Sequence, residues 1–308
     1  LLVGPMTIAI AKMLGINPVP FLMTQILASN IGGTATLIGD PPNIMIGSAA
    51  NLSFVDFIDN TGLAVALVLI FMIIMMRFEY KKEIEVEGLD TSKIMNLDPN
   101  KSITDRPLLI KGVVVICLVI LGFIFHDRLG IESSVIALAA AAIMLIIGGT
   151  SVENAIQDVE WTTIAFFMSL FVVVGGLTET GVIKQMAAVV IEKTEGHPVM
   201  MMLILLWASA ILSSFLDNIP FVATLIPLVL ALKADGMDVE PLWWAISLGA
   251  CLGGNGTMIG ASANVVLSDI STKHGYPITF KSYLRVGMPF MLGSVAISMV
   301  FLLVKYGM

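Results

Sequence analysis

The chain has 308 residues and a net charge of −7, and it is 57% apolar and only 13% charged. Soluble domains keep about a quarter of their residues charged because their surface faces water, so this composition excludes an ordinary soluble protein. About 20 apolar residues of helix cross a bilayer core of ~30 Å. Four runs of this kind contain no Asp, Glu, Lys or Arg: 133–152, 161–178, 198–216 and 286–304. We therefore predict an all-α, multi-pass integral membrane protein.

The first part of the chain is residues 1–78. An apolar segment interrupted by Gly and Pro predicts a broken helix over 18–50, and a continuous apolar run predicts a transmembrane helix over 61–78. The charged stretch 79–106 follows, and we expect it to be a linker loop. Because Lys and Arg collect in cytoplasmic loops, its basic residues predict a cytoplasmic position.

The second part of the chain, 107–308, is predicted to form helices with two polar interruptions. The run 198–232 is divided by the sequence Leu-Asp-Asn-Ile-Pro, and each arm is too short to cross a bilayer with a comfortable margin. A re-entrant hairpin is therefore expected there. The predicted elements are helices 107–125, 133–152 and 161–178, the hairpin 198–232, a broken helix over 241–271 and a helix over 286–304.

Two glycine-rich segments repeat one another. Residues 29–43 (SNIGGTATLIGDPPN) align with 250–264 (ACLGGNGTMIGASAN), and six of the 15 positions are identical. Threading the chain through a membrane gives the two copies opposite directions, which predicts inverted repeats of the kind found in secondary transporters. The second copy is preceded by a hairpin whose counterpart would lie before residue 1. We therefore expect the first repeat to be truncated at its N-terminus.

The repeated segments predict an ion-binding site. Unwound backbone at membrane depth is tolerated only where it is buried in protein or faces a cavity, and Gly and Pro unwind helices. Carbonyl, hydroxyl and amide oxygens suit Na⁺, whereas half-helix N-termini suit an anion. Close helix packing through small residues is the alternative. The predicted binding residues are Ser29, Asn30, Gly32, Gly33, Thr34, Thr36 and Asn43 in the first copy, and Gly253, Gly254, Asn255, Thr257 and Asn264 in the second.

Asp217 is the only charged residue between Pro198 and Leu232. A carboxylate inside a membrane usually marks an ion or proton path, so we predict Asp217 as the coupling residue and Asn218 as a neighbouring ligand. A helix N-cap at the hairpin tip is the alternative, and both roles are compatible. Asp40 is a weaker candidate because Ala261 occupies its equivalent position.

Motifs for ATP hydrolysis, proteolysis and metal clusters are missing from the sequence. We therefore expect neither an enzyme nor a nucleic-acid partner, and no cofactor or metal apart from Na⁺ as a coupling ion. An ATPase partner subunit stays open. The three histidines fall in predicted loops and are interpreted as solvated: His126, His197 and His274.

The motifs resemble those of the ion transporter superfamily, which includes arsenite efflux permeases, NhaD-type sodium/proton antiporters, citrate and dicarboxylate carriers and the melanocyte P protein. The stretches 29–43, 215–227 and 249–266 are most similar to the P-protein branch. Dicarboxylate carriers bind Na⁺ with Ser-Asn-Thr at each hairpin tip, whereas this chain has Asp217 followed by Asn and Ile. This departure argues against a straightforward dicarboxylate carrier. The resemblance implies a homodimer with a scaffold and a moving transport domain.

From the residues and the resemblance together, we expect a secondary active transporter in the plasma membrane. Its substrate is predicted to be a small inorganic ion, arsenite or another anion, coupled to Na⁺ or H⁺. A Na⁺/H⁺ antiporter is the first alternative. A passive anion channel is the second, because broken helices can also line a pore.

Overall fold

The computed structural model describes residues 3–86, 105–149, 151–157, 159, 161–194 and 197–307. These residues form helices and no strand. In chain order, the helices are α1 (Val3–Leu14), α2 (Val19–Thr34), α3 (Pro41–Ala50), α4 (Phe54–Glu79), α5 (Lys81–Ile84), α6 (Arg106–Leu129), α7 (Ser133–Gly148), α8 (Val152–Gln157), α9 (Trp161–Glu179), α10 (Val182–Thr194), α11 (Pro198–Phe215), α12 (Asn218–Ala234), α13 (Glu240–Gly253), α14 (Ser262–Lys273) and α15 (Phe280–Tyr306).

Four of the described helices are long and apolar enough to cross a membrane: α4, α6, α11 and α15. The helix predicted over 61–78 begins earlier, at Phe54, because Ser53 and Asp56 form a reciprocal capping box at its start. The helix predicted over 133–152 ends at Gly148, because Gly149 adopts a left-handed conformation with φ of 72°. Within the predicted linker 79–106, residues 87–104 lie outside the described part of the chain.

Both segments predicted as broken helices are interrupted. The first stops with α2 and resumes as α3 at Pro41, where a proline has no N–H to lose in the first helical turn. The second stops with α13 and resumes as α14 at Ser262. The first break is residues 35–40, and the second break is residues 254–261.

The predicted hairpin consists of α11 and α12, which meet at Leu216 and Asp217. Helix α11 has 18 residues and is therefore about 27 Å long. By length and composition α11 is a candidate membrane span. The expectation that each arm of the hairpin is too short to cross a bilayer comfortably therefore does not hold for α11. Helix length alone gives no reason for α11 to turn back inside the membrane.

Helix α13 lies at the centre of the fold, and every residue from Leu242 to Gly253 is buried. It packs most closely against α11 and also contacts α2, α3, α4, α12 and α15. The approach to α11 depends on glycine: a Cβ atom added to Gly249 would lie 2.5 Å from the carbonyl oxygen of Leu206. This packing holds the second break deep within the protein.

Helices α6 and α7 pack on each other at the edge of the structure. Their outer faces expose large apolar side chains, for example Leu138 and Ile146. The contact with the remaining protein includes Phe123 stacked on Phe54, with ring centroids 6.3 Å apart. The side chain of His126 also reaches this contact, where its Nε2 accepts a hydrogen bond from the Phe54 N–H at 3.2 Å. His126 was predicted to be solvated in a loop, but the structure gives it a bonded position in the last turn of α6.

Candidate functional site

The two breaks fold back through equivalent glycines. In the first, a Cβ atom added to Gly39 would lie 2.4 Å from the carbonyl oxygen of Gly33. In the second, the equivalent atom on Gly260 would lie 2.6 Å from the carbonyl oxygen of Gly254. Real Cβ atoms do not approach oxygen so closely, so each break folds back on the end of its preceding helix through a pair of glycines. The glycines therefore recur in both copies because the close backbone approach at each break leaves no room for a Cβ atom.

An asparagine closes each break. Asn43 Nδ2 donates to the carbonyl oxygens of Gly33 at 3.3 Å and Thr36 at 3.0 Å. Asn264 Nδ2 makes the equivalent bonds to Gly254 at 2.7 Å and Thr257 at 2.9 Å. Unpaired backbone groups are costly at membrane depth, and these amides satisfy carbonyls that the helix has released. Both asparagines are 0% exposed.

The two copies also contact each other reciprocally. Asn30, in α2, donates from Nδ2 to Asn264 Oδ1 at 2.9 Å. Cys251, which occupies the position equivalent to Asn30 in the second copy, lies with its Sγ 3.4 Å from Asn43 Oδ1. Ser247 adds a hydroxyl bond to the same oxygen at 2.7 Å. Each helix that precedes a break therefore reaches the asparagine of the other copy.

A small cleft lies where the breaks approach the hairpin tip, with a volume of about 170 Å³. The N-termini of α3, α12 and α14 meet there, so three positive helix-dipole ends face one space. The last turns of α2 complete its wall. The cleft is lined by Ser29, Asn30, Gly39, Asp40, Pro41, Asp217, Asn218, Ile219, Ala261, Ser262 and Ala263.

Two carboxylates line the cleft, and their surroundings differ. Asp217 is the N-cap of α12, and its Oδ1 accepts a bond from the Ile219 N–H at 3.0 Å. Asp40 is the N-cap residue of α3, but its side chain makes no capping bond. Its two oxygens instead lie 3.3 and 3.4 Å from Asn218 Nδ2 across the cleft. The Asp40 carboxylate is therefore less committed to the backbone than that of Asp217.

The structure divides the predicted site residues into two groups. Ser29, Asn30, Asp217 and Asn218 line the cleft. The others belong to the closing network of the breaks or to the helix ends beside them, where for example the Thr257 hydroxyl donates to the carbonyl oxygen of Ser214. This second group is Gly32, Gly33, Thr34, Thr36, Asn43, Gly253, Gly254, Asn255, Thr257 and Asn264.

Two residues that line the cleft, Asp40 and Ser262, were not among the predicted binding residues. Asp40 was discounted because its equivalent, Ala261, carries no charge, yet a site shared by two copies need not use the same residue from each. Ser262 was left out of the predicted list although it begins the helix after the second break. Its position at a helix start, two residues after Gly260, was the available signal. Among the described residues, no group of three His, Cys, Asp or Glu side chains could hold a metal ion.

Comparisons with known proteins identify relatives over almost the whole chain. Residues 1–249 match the family described as citrate transporter. A 46 kDa membrane protein of Mycobacterium leprae is 39% identical over 309 residues, which cover 99% of this chain and 72% of the relative. A Synechocystis protein described as an uncharacterized transporter is 32% identical over 329 residues, covering 98% of this chain and 71% of that protein.

The P protein of Mus musculus is 32% identical over 391 residues, covering 99% of this chain and 46% of the mouse protein. The resemblance drawn from the glycine-rich motifs is thus confirmed over almost the whole chain. These matches identify an integral membrane transporter rather than an enzyme. The chain belongs to the citrate transporter family of the ion transporter superfamily.

Proposed function

We propose that this chain is a secondary active transporter that carries a small inorganic ion through the cleft and couples its movement to Na⁺ or H⁺. The observation that carries the proposal is the meeting of three helix N-termini, two carboxylates and a buried amide in one space of about 170 Å³. Such a space holds a small ion with a few waters, since one water takes about 30 Å³ of liquid. Capping of α12 by Asp217 accounts for one carboxylate, but it does not require the second carboxylate of Asp40 to face the same space.

The charges in the cleft supply a reason for coupling. Three helix N-termini favour an anion, but Asp40 and Asp217 would repel it. Binding of a proton or Na⁺ by the carboxylates removes that repulsion, so anion and cation would bind together. We propose Asp217 as a coupling residue on this basis. Arsenite or another small anion is the proposed substrate class.

A Na⁺/H⁺ antiporter is the second candidate, and the pair of carboxylates in one cleft favours it. A proton and Na⁺ would compete for the same oxygens, and such competition is the basis of exchange. The helix N-termini would then stabilise the carboxylates themselves rather than a transported anion. The two candidates differ in whether any anion crosses the membrane.

We also propose that the two copies form inverted repeats, related by a pseudo-two-fold axis in the membrane plane. The equivalent bonds of Asn43 and Asn264 support this, as do the reciprocal contacts made by Asn30 and Cys251. The hairpin of α11 and α12 is proposed to be re-entrant, and the position of its tip, Asp217 and Asn218, in the cleft beside both breaks supports this. A homodimer in the plasma membrane is also proposed, and the apolar outer faces of α6 and α7 are surfaces that lipid or a partner copy would cover.

The test uses the full-length protein reconstituted in liposomes that contain a pH-sensitive dye. Na⁺, arsenite and chloride are added in turn, and the flux of each ion is followed with and without a pH gradient. We expect coupled flux in the wild type and its loss in Asp217→Asn, which keeps an N-cap residue and so should fold. Asp235→Asn, at the other end of α12, is the matched control and should transport normally.

Three outcomes separate the candidates. Anion flux that depends on Na⁺ or pH supports the coupled anion transporter. Na⁺-driven proton movement without anion flux supports the antiporter instead. Anion flux that ignores both gradients, or full activity in Asp217→Asn, would show that coupling at this site is wrong.

A further inference from the structure

A second cavity, here named the α4–α15 cavity, lies where the end of α4 meets the start of α15. It is lined by residues of these two helices and of α5, with Val19 of α2 beside them. Helices α4 and α15 are both candidate membrane spans, and this cavity lies at the C-terminal end of one and the N-terminal end of the other. It therefore lies at the level where two apolar spans reach the polar headgroups of a bilayer.

The cavity is lined by two acids and two cations that come from different helices. Glu79 and Glu83 belong to α4 and α5, whereas Lys281 and Arg285 belong to the first turns of α15. Arg285 Nε lies 3.5 Å from Glu79 Oε1, and the Arg285 side chain is still 79% exposed. Lys281 and Glu83 form no ion pair with any residue that the structure describes. An unpaired cation and an unpaired carboxylate therefore line the same space.

Two further polar groups line the cavity. Burial, together with Glu79 and Glu83, raises the pKa of Tyr80 to about 12, so the hydroxyl of Tyr80 keeps its proton and can donate it to an anionic oxygen. Pro289 lies inside α15 and has no N–H, so the carbonyl oxygen of Arg285, four residues earlier, lacks its helical donor. The cavity wall thus combines a further donor with a further acceptor.

The rest of the lining is apolar, and the cavity is large. Its volume of about 910 Å³ is near the upper end of the ~300–1,000 Å³ typical of sites for organic ligands. A single small ion would leave most of this space unfilled. The apolar lining residues are Val19, Leu284, Val286, Met288 and Pro289. An occupant therefore needs an apolar part in addition to charged groups.

The balance of charges favours a zwitterionic occupant. A headgroup that carries only a phosphate would satisfy Lys281 and Arg285, but Glu79 and Glu83 would repel it. A primary ammonium next to the phosphate removes this repulsion, because it can donate charge-assisted hydrogen bonds to the carboxylates. A trimethylated ammonium has no N–H to donate. The chemistry of the lining thus matches a phosphate, a primary ammonium and an apolar chain in one molecule.

We propose that the α4–α15 cavity binds phosphatidylethanolamine, a phospholipid whose headgroup carries one phosphate and one primary ammonium. Lys281 and Arg285 hold the phosphate, and the hydroxyl of Tyr80 donates to it. Glu83 and Glu79 accept hydrogen bonds from the ammonium, while the acyl chains lie against the apolar lining. This site goes beyond the proposed function, because it does not depend on which ion the protein carries.

The test compares three lipids that differ only in their headgroup. The purified full-length protein in detergent is mixed with dioleoyl phosphatidylethanolamine, phosphatidylglycerol or phosphatidylcholine at equal mole fraction, and its unfolding midpoint is recorded. A ligand that binds only the folded state raises this midpoint in proportion to its affinity and concentration. We expect phosphatidylethanolamine to raise the midpoint above both other lipids.

Two variants separate the two ends of the headgroup, and both replace exposed side chains, so both should fold. Lys281→Gln removes a partner of the phosphate and should reduce the rise with phosphatidylethanolamine. Glu83→Gln removes a partner of the ammonium and should abolish the advantage of phosphatidylethanolamine over phosphatidylglycerol. Lys273→Gln and Glu153→Gln change exposed residues that do not line the cavity, and these matched controls should respond as the wild type does.

Two results would overturn the proposal. Equal rises with phosphatidylethanolamine and phosphatidylcholine, or a larger rise with phosphatidylglycerol, would show that the cavity does not recognise a primary ammonium. An unchanged response to phosphatidylethanolamine in both Lys281→Gln and Glu83→Gln would show that the lipid binds elsewhere on the protein.

Discussion

Gly32 and Gly253 occupy equivalent positions in the two repeats, yet the structure predicts that only replacement of Gly253 with alanine destabilises the protein. A Cβ atom on Gly253 would lie 2.6 Å from both the Cα and the carbonyl oxygen of Ala210, which are backbone atoms of α11 that cannot move aside. A Cβ atom on Gly32 would meet nothing within 4 Å. Both glycines lie at helix ends beside a break, so the change in local chain entropy is similar.

The magnitudes follow from two terms. Alanine is favoured over glycine in a helix by about 0.5–1 kcal/mol, so Gly32→Ala should be neutral or slightly stabilising. Overpacking in a close-packed interior costs about 1–3 kcal/mol, and the backbone contact puts Gly253→Ala at the upper end. The net expectation for Gly253→Ala is a loss of about 2 kcal/mol after the helix gain is subtracted.

The assay compares the unfolding midpoints of the two variants and the wild type in the same detergent, together with their flux in liposomes. We expect Gly253→Ala to unfold at a clearly lower temperature and Gly32→Ala to match the wild type. Equal loss in both variants would mean that the repeat requires glycine at this position for a reason other than contact with α11. No loss in Gly253→Ala would contradict the close packing of α13 on α11.

Three further predictions concern single contacts. Asn264→Leu leaves two carbonyls of the second break without donors and should destabilise the protein by about 1–3 kcal/mol, seen as a lower unfolding midpoint; an unchanged midpoint would show that other groups satisfy them. Ser53→Ala removes the cap of α4 and should cost about 1 kcal/mol in the same assay, and an unchanged midpoint would show that the capping box does not stabilise this helix. His126→Ala removes the acceptor of the Phe54 N–H and should cost about 0.5–1.5 kcal/mol, whereas a stable variant would argue against this contact between α4 and α6.

The breaks in both long segments could be predicted from sequence because Gly and Pro act locally. The prolines that open α3 and the glycine pairs at each break have conformational effects that depend little on distant residues. Helix ends were less accurate, as α7 shows. A left-handed glycine at position 149 ended the helix four residues before the last residue of its predicted range, 152, although no charged residue occurs before Glu153.

The sequence could not predict which polar residues line the cleft and which close the breaks. Asparagine recurs at the same position in both repeats, as Asn43 and Asn264, and in the sequence this recurrence is typical of an ion ligand. Only the structure shows that the two amides donate to backbone carbonyls released at the breaks. Which of the two aspartate carboxylates is bonded to the backbone also depends on three-dimensional contacts. Asp217 accepts a bond from the backbone N–H of Ile219, two residues along its own chain, whereas Asp40 faces Asn218, far away in sequence.

The most direct test of transport through the cleft is to block it chemically. Ser262→Cys is introduced into the full-length protein in a Cys117→Ser background, because Cys117 is exposed and Cys251 is buried. A small charged thiol reagent is then added, and flux in liposomes is measured against Ser282→Cys, which lies on the surface near the start of α15. We predict that modification stops flux at Ser262→Cys and not at Ser282→Cys. Full flux after complete modification at position 262 would show that the transported ion does not pass through this cleft.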